Sequence, residues 1–438
     1  MQFRRVGESG LVVSAIGFGC NNLGRAGSPT EEPDAAIRVV HAAVDAGITY
    51  FDTADIYGKT PGLSERYLGQ ALKSVRDQVV VGTKFGMDMQ STNGPDFDAR
   101  GSRRYIIAAV EASLERLCTD YIDLLQYHTP DPYTPIDETL AALDQLIADG
   151  KVRYIGHSNF SGWQLAQAEY VARNLGTERF ISAQNHYNLM DRRAELEVLP
   201  ASRRFGLGLF PYFPLNNGLL TGKYSRCGRP EGARLTYVRQ HMVAEADWEQ
   251  LEKFSDFAQQ RGLNEIELAF GWLAAQEPIS SVIAGATRVE QVQQNANSLA
   301  NDMSAEDLEI LNGIFPPADQ IALYYCAGIV VNVQAINILG EVAITASALL
   351  LVVLMVWSLW NLSNSPLNPT QRIWWVLAVL ILPGLGSMCW WWWIRRYYPR
   401  RKAADPTWDP AVHKNLQSEA GRPRPGRRRY RGPTDKAR

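Results

Sequence analysis

Four side chains stand out for the chemistry they could do together. Asp52 closes the run Ile48-Thr-Tyr-Phe-Asp52, and Tyr57 lies five positions on. Lys84 closes Gln78-Val-Val-Val-Gly-Thr-Lys84, and His128 closes Tyr121-Ile-Asp-Leu-Leu-Gln-Tyr-His128. A carboxylate, a phenol, an amine and an imidazole thus fall within 77 positions, three of them ending apolar runs. Taken singly, an Asp or Lys there is more often an ion-pair partner and a Tyr more often packing. Gathered at one mouth, they would form a general acid. The Lys84 ammonium would favour the tyrosinate and lower the Tyr57 pKa, and Asp52 would hold Lys84 charged. His128 could donate a hydrogen bond to a carbonyl oxygen while Tyr57 protonates a developing alkoxide.

What brings such residues together is the order of the elements. The three runs above are followed by Val152-Arg-Tyr-Ile-Gly-His-Ser158, Phe180-Ile-Ser-Ala-Gln184, Leu207-Gly-Leu-Phe-Pro-Tyr212 and Ser281-Val-Ile-Ala-Gly285. Amphipathic stretches such as Arg104–Leu117 and Pro135–Asp149 lie between them. Repeated strand–helix units predict a parallel sheet with helices outside. Seven units over about 270 residues suit an α/β (β/α)8 TIM barrel better than an open sheet, although no eighth strand is legible. In that fold the C-terminal strand ends share one face, where catalytic residues sit. Phe3-Arg-Arg-Val and Val12-Val-Ser-Ala-Ile flank Gly7-Glu-Ser-Gly10, which predicts a β-hairpin lid on the barrel floor. Gly17-Phe-Gly19 lacks the third glycine of a dinucleotide fingerprint and reads instead as strand entry, with Cys20 and Asn21 beside a cofactor.

Composition narrows the class. Hydrophobic residues make up 46% of the 438, enough for a large core. The first 394 residues carry 30 Lys/Arg against 42 Asp/Glu, and the remainder 14 against 4. An acidic body argues against nucleic-acid binding there. Five dispersed cysteines form no CxxC pair, so neither a metal site nor a disulfide scaffold is expected, and the compartment reads as reducing. No apolar h-region follows Met1, so no signal peptide is expected.

Phe51-Asp-Thr-Ala-Asp-Ile-Tyr-Gly58, Gly82-Thr-Lys84, Ser113-Leu-Glu-Arg-Leu, Asp120–His128, Gly150-Lys-Val-Arg-Tyr-Ile-Gly and Ser158-Asn-Phe160 closely resemble the aldo-keto reductase superfamily. The resemblance runs from about Gln2 to Phe315. Pro214-Leu-Asn-Asn-Gly-Leu-Leu-Thr-Gly-Lys-Tyr224 is similar to its bacterial and potassium-channel-β-like branch. It implies NADP(H)-dependent reduction of an aldehyde or ketone, or the reverse, with Asp52, Tyr57, Lys84 and His128 as the tetrad and Tyr57 the proton donor. It further implies that Asn21 lies near the cofactor and that Ser158, Asn159 and Gln184 hold the nicotinamide carboxamide. Tyr212 would stack on that ring, and Leu215 and Asn217 would line the pyrophosphate. Gly285, Thr287, Arg288, Gln291, Gln294 and Asn295 would meet the adenosine end. Arg288 is the expected partner of a 2′-phosphate, since a guanidinium matches phosphate geometry. Gln291 and Gln294 replace the Arg and Glu of many members, which bears on cofactor preference. Loop 86–103, with Met87, Met89, Asp96 and Arg100, would shape the substrate pocket. A membrane-associated NADPH sensor or regulatory subunit with little turnover is the alternative reading.

The C-terminal quarter is of another kind. Eight of the twelve tryptophans lie between Trp357 and Trp393, and the runs 342–360 and 373–394 carry no charge. Each is long enough to cross a bilayer of ~30 Å at ~1.5 Å per residue, with tryptophans near the ends. The segment resembles the two-helix membrane module at the N-terminus of some phospholipase D-type proteins. The His-x-Lys signature of that chemistry is absent, which excludes lipid hydrolysis. The sequence therefore predicts a barrel over 1–316, a linker over 317–340, a two-helix transmembrane module over 341–397 and a disordered basic tail over 398–438. A third span over 321–340 is the variant reading of the linker. Arg395, Arg396, Arg400, Arg401 and Lys402 would put the tail in the cytoplasm, and with two spans the barrel too. The expected partners are a small carbonyl or alcohol substrate, a lipid bilayer and a membrane protein, with no nucleic acid. The Pro316-Pro317 joint is also compatible with an accidental fusion of adjacent reading frames.

Overall fold

The computed structural model describes residues 1–318 except 227, 229, 231, 232 and 238, and residues 347 and 349–410. The chain divides into two compact units, Met1–Tyr324 and Tyr325–Arg438.

The first unit opens with the expected hairpin. β1 (Phe3–Arg5) pairs antiparallel with β2 (Val12–Ser14). The eighth barrel strand is β3 (Ile16–Gly19), so Ile16 belongs to the barrel and not to the hairpin. Then come β4 (Tyr50–Asp52), β5 (Val80–Phe85), β6 (Ile122–Tyr127), β7 (Val152–Ser158), β8 (Ser182–Gln184), β9 (Gly208–Leu209) and β10 (Val282–Gly285). β3 to β10 form one parallel sheet in the order β10-β3-β4-β5-β6-β7-β8-β9. Its ends meet: Leu209 N–H donates to Pro278 O (2.9 Å), and Ser280 N–H to Leu209 O (3.0 Å). A closed barrel results, with no open edge.

Helices α1 (Pro33–Asp45), α2 (Leu63–Leu72), α3 (Arg103–Leu117), α4 (Ile136–Ala148), α5 (Gly162–Leu175) and α6 (Val198–Phe205) follow successive strands from β3 onward. Helices Glu265–Ala274, Val289–Asn297 and Ala305–Ile314 complete the wrapping. Starts are set locally. Ser161 and Gln164 form a reciprocal cap on α5, and Asn264 and Glu267 do the same for their helix. Apolar faces pack on the sheet to make the main core.

A smaller core closes the barrel floor. Val6, Leu11 and Val13 of the hairpin meet Tyr50, Leu124, Phe210 and Ile283 from the strands. Tyr50 stacks on Phe210 at 4.8 Å and needs room on both sides. A Cβ on Gly82 would stand 2.6 Å from its hydroxyl, and one on Gly17 would stand 2.9 Å from its ring. These two glycines admit the tyrosine whose hydroxyl points up toward Asp52.

The second unit is helical. Residues 349–363 form one helix, and Pro369–Ile381 another, capped by Asn368, which accepts from Gln371 N–H (2.9 Å). The single span expected over 373–394 is broken. Leu382 leaves the helical region (φ −129°, ψ 73°) and a new helix starts at Pro383 and runs to Trp392. Pro383 has no N–H to continue the ladder. The first segment measures about 20 Å, short of a bilayer core; the second runs on through the π-helical turn Trp393–Tyr397 into Tyr398–Ala404, and its uncharged part, 383–394, measures about 18 Å. Among the described residues, no helix is long and apolar enough to cross a membrane. Residues 342–346 and 348 of the first run, the segment 321–340 and residues 411–438 lie outside the described residues. Disorder was expected over 398–438, but Tyr398–Ala404 is helical and Trp408 packs against Tyr397 and Tyr398. A small core of Leu362, Leu367, Val379 and Trp390 holds the unit together, with Trp375 edge-on to Trp390 at 5.4 Å. Around it Leu349, Leu350, Trp360, Ile373, Trp374, Ile381, Leu385 and Met388 are exposed.

Candidate active site

The site lies at the C-terminal face of the barrel. Asp52 is the last residue of β4, Lys84 lies at the end of β5, and His128 follows β6 directly. Parallel register sets them side by side, with Asp52 paired to Gly82 and Lys84 to Gln126. The Lys84 ammonium is fully buried. It donates to both Asp52 oxygens (2.8 Å each) and to Thr53 O (2.7 Å). Asp52 Oδ1 also accepts from Gln184 Nε2 (2.8 Å), Gln126 Nε2 (3.4 Å) and the Tyr50 hydroxyl (3.5 Å).

Tyr57 hangs over this pair on the loop after β4. Lys84 Nζ is 5.2 Å from its ring centroid, and the His128 ring is edge-on to it at 6.0 Å. The four predicted residues are therefore one cluster. Its electrostatics differ from the expectation in sign. Burial pushes the Tyr57 phenol above its ordinary value, and Lys84 opposes this only in part. Burial also acts against the Lys84 ammonium, but Asp52 and Tyr57 outweigh it and hold that pKa above normal. Burial, aided by repulsion from Lys84, pulls His128 down to about 3. At neutral pH the cluster thus presents a protonated phenol, a buried cation and a neutral imidazole. The His128 Nδ1 is buried without a partner among the described residues. That combination can donate two hydrogen bonds to one oxygen and release one proton to it.

The other predicted residues ring the same face. Ser158 ends β7, and its hydroxyl donates to Gln184 O (2.8 Å). Asn159 takes a left-handed conformation (φ 60°) and donates to His128 O (3.0 Å) and Ser158 Oγ (3.1 Å). Its Oδ1 accepts from the Tyr212 hydroxyl (2.8 Å). Gln184 joins this group to the tetrad, because its Nε2 is engaged by Asp52. The Tyr212 ring stacks on His186 at 5.4 Å, nearly parallel. Asn21 lies in the turn after β3, where Arg25 donates to it (3.3 Å). Cys20, next to it, is buried, and burial and Asp52 push its thiol well up.

Leu215 and Asn217 belong to the loop 215–222, where Asn216 and Asn217 both take positive φ. Asn217 Oδ1 is buried with no partner among the described residues. Gly285 ends β10 beside Gly19. Arg288 caps the helix Val289–Asn297 and is exposed; it makes no ion pair or side-chain hydrogen bond with any described residue. Gln291 folds back, its Oε1 accepting from Thr287 N–H (2.8 Å) and the Thr287 hydroxyl (3.2 Å). Asn295 is buried and Gln294 exposed on the same helix. The orphaned Asn217 oxygen and the Ser158–Asn159–Gln184 amide cluster fit a nicotinamide adenine dinucleotide cofactor, which would supply a hydride when bound.

Tyr50, Thr53 and Gln126 were not among the residues singled out from the sequence, yet all three hold the Asp52–Lys84 pair. The signal for two of them was the period of two: Tyr50 precedes Asp52, and Gln126 precedes His128, by two positions.

The aldo/keto reductase family model matches residues 15–315. An uncharacterized oxidoreductase of Bacillus subtilis, YrpG, is 37% identical over 324 residues, covering 72% of this chain and 96% of its own. An L-glyceraldehyde 3-phosphate reductase of Escherichia coli O157:H7 is 34% identical, covering 70% and 90%. A probable voltage-gated potassium channel subunit beta of Oryza sativa subsp. japonica is 33% identical, covering 68% and 91%. With a closed eight-stranded barrel and this cluster at its C-terminal face, the chain belongs to the aldo/keto reductase family.

Proposed function

We propose that the chain is an NADP(H)-dependent oxidoreductase that reduces an aldehyde or ketone to its alcohol, or runs the reverse. The observation that carries this reading is the buried Asp52–Lys84 pair beneath a protonated Tyr57 and a neutral His128. Tyr57 gives its proton to the carbonyl oxygen, and Lys84 stabilises the phenolate left behind. Asp52, fixed by Tyr50, Gln126 and Gln184, keeps that cation in place. His128 stays neutral and orients the oxygen by a hydrogen bond. Arg288 selects the 2′-phosphate.

NADPH titration, followed by oxidation of bound NADPH with a panel of small aldehydes, tests this reading. Binding with turnover supports it. Binding with no turnover supports the rival, an NADPH-responsive regulatory subunit, which the relatives named as potassium channel subunits beta favour.

We further propose that the second unit holds the barrel at a lipid bilayer, with barrel and basic tail in the cytoplasm. Its exposed Leu349, Trp360, Trp374, Ile381 and Met388, and the cations Arg395, Arg396, Arg400, Arg401 and Lys402, support this. Such cations contribute roughly 1 kcal/mol each near an anionic surface. The full chain is expected to sediment with phosphatidylserine vesicles, and the 1–320 fragment to remain in the supernatant. Equal sedimentation of the two would defeat the proposal.

A further inference from the structure

The segment Ser113-Leu-Glu-Arg-Leu117 has no part in the tetrad, yet it carries a buried charge. Arg116 is 4% exposed. Its Nε donates to Glu65 Oε2 (2.6 Å), its Nη2 to the Ser113 hydroxyl (3.0 Å) and its Nη1 to Asn93 Oδ1 (3.2 Å). Glu65 also accepts from the Thr83 hydroxyl (2.5 Å). Asn93 Nδ2 in turn donates to Asp55 Oδ2 (3.4 Å). Asp55, Glu65, Thr83, Asn93, Ser113 and Arg116 are all buried.

The network adjoins two parts of the proton-donating apparatus along the chain. Asp55 lies two residues before Tyr57, and Thr83 immediately precedes Lys84. Asn93 lies in the loop 86–102 that follows Lys84 on the same face of the barrel. The far end of the Tyr57 loop is held as well. Gly62 has φ +84°, and a Cβ there would stand 2.4 Å from Arg116 Cδ, so only glycine lets the arginine lie against it. Arg116 therefore grips the loop 53–62 at Gly62 directly and at Asp55 through Asn93.

We propose that Arg116 and Asn93 are positioning residues that lock the Tyr57 loop and couple it to the loop 86–102. The order of the substrate-side loop then sets the placement of the proton donor. This rests on the reductase reading for its effect on rate, and on geometry alone for the coupling of the two loops.

Asn93→Ala is the informative variant, because it cuts the link and leaves the Arg116–Glu65 pair intact. Arg116→Lys accompanies it, since a lysine keeps the charge but not the three-way fork. Hydrogen exchange on the full chain without ligand is expected to speed up in both 86–102 and 53–62 in Asn93→Ala, and to stay unchanged in 289–297. Turnover of NADPH with 4-nitrobenzaldehyde should fall about 10- to 100-fold in kcat. The NADPH Kd should stay within about twofold, and the isotope effect with C4-deuterated NADPH should rise. A merely structural role would lower kcat only in proportion to the folded fraction and leave the isotope effect as it was. Unchanged exchange in 53–62, or a wild-type kcat in Asn93→Ala, overturns the proposal. Absence of turnover in the wild type instead defeats the reductase reading, and the exchange data still decide the coupling.

Discussion

Removing Asp52 tests the buried ion pair on which the chemistry rests. In Asp52→Ala the Lys84 ammonium loses both contacts at 2.8 Å and its one countercharge, keeping Thr53 O and the neutral Tyr57 phenol, in a place with no solvent exposure. An uncompensated buried charge of this kind costs about 3–5 kcal/mol. For a barrel of this size that lowers Tm by roughly 4–7 °C. The double variant Asp52→Ala/Lys84→Met leaves neither charge, so it is expected to recover at least half of the loss. The pH dependence supplies a sign. In the wild type the raised Lys84 pKa gives stability that is full below the unfolded value and fades as pH rises through the folded one. In Asp52→Ala desolvation, the largest influence on the amine, is opposed by Tyr57 without Asp52, so its pKa falls and the deficit shrinks as pH rises. Thermal unfolding of the full chain by far-UV circular dichroism at pH 7 and 9 reads all of this. A single-variant loss below about 1 kcal/mol, or a double variant no more stable than the single, would refute the reasoning.

Two further outcomes follow from the structure. His157 is fully buried, with neither ring nitrogen hydrogen-bonded among the described residues, and burial holds its pKa near 3. Because the unfolded chain binds that proton near pH 6.5, stability is lost as pH falls through this window, by about 2 kcal/mol at pH 5. His157→Leu should remove that part of the acid slope in urea unfolding at pH 7 and 5, and an unchanged slope contradicts it. Arg288→Gln should raise the NADPH Kd about 10- to 100-fold and leave NADH within about twofold, as expected for one charge-assisted contact. Equal losses for both coenzymes would remove Arg288 from 2′-phosphate recognition.

The tetrad was legible because strand ends in a parallel barrel converge, so that residues far apart in sequence could be placed together from run ends alone. The supporting shell was not. Tyr50 and Gln126 sit inside apolar strands and read as core, and only the pairing of Lys84 with Gln126 shows that the amide faces the site. β3 was hidden by composition: Gly17 and Gly19 lower its strand propensity, yet Gly17 is what makes space for Tyr50. The Tyr57 shift has the opposite direction to the one expected because the desolvation of a fully buried phenol outweighs the neighbouring Lys84 charge. The hydrogen bond lost at Pro383 was expected to be re-satisfied by neighbours within one span over 373–394, but the backbone leaves the helical region at Leu382 and a new helix starts at Pro383. The Arg116 network was visible as a motif but not as a lock, because its members come from two strand-end loops, two helices and a strand.

The most direct measurement of the central claim is NADPH oxidation by the full chain with small aldehydes, with Tyr57→Phe beside the wild type. Phenylalanine keeps the ring against His128 and removes only the proton donor. Turnover should fall at least 100-fold while NADPH affinity and thermal stability stay at wild-type values. Undiminished turnover in Tyr57→Phe would contradict the assignment of the proton donor and the account built on it.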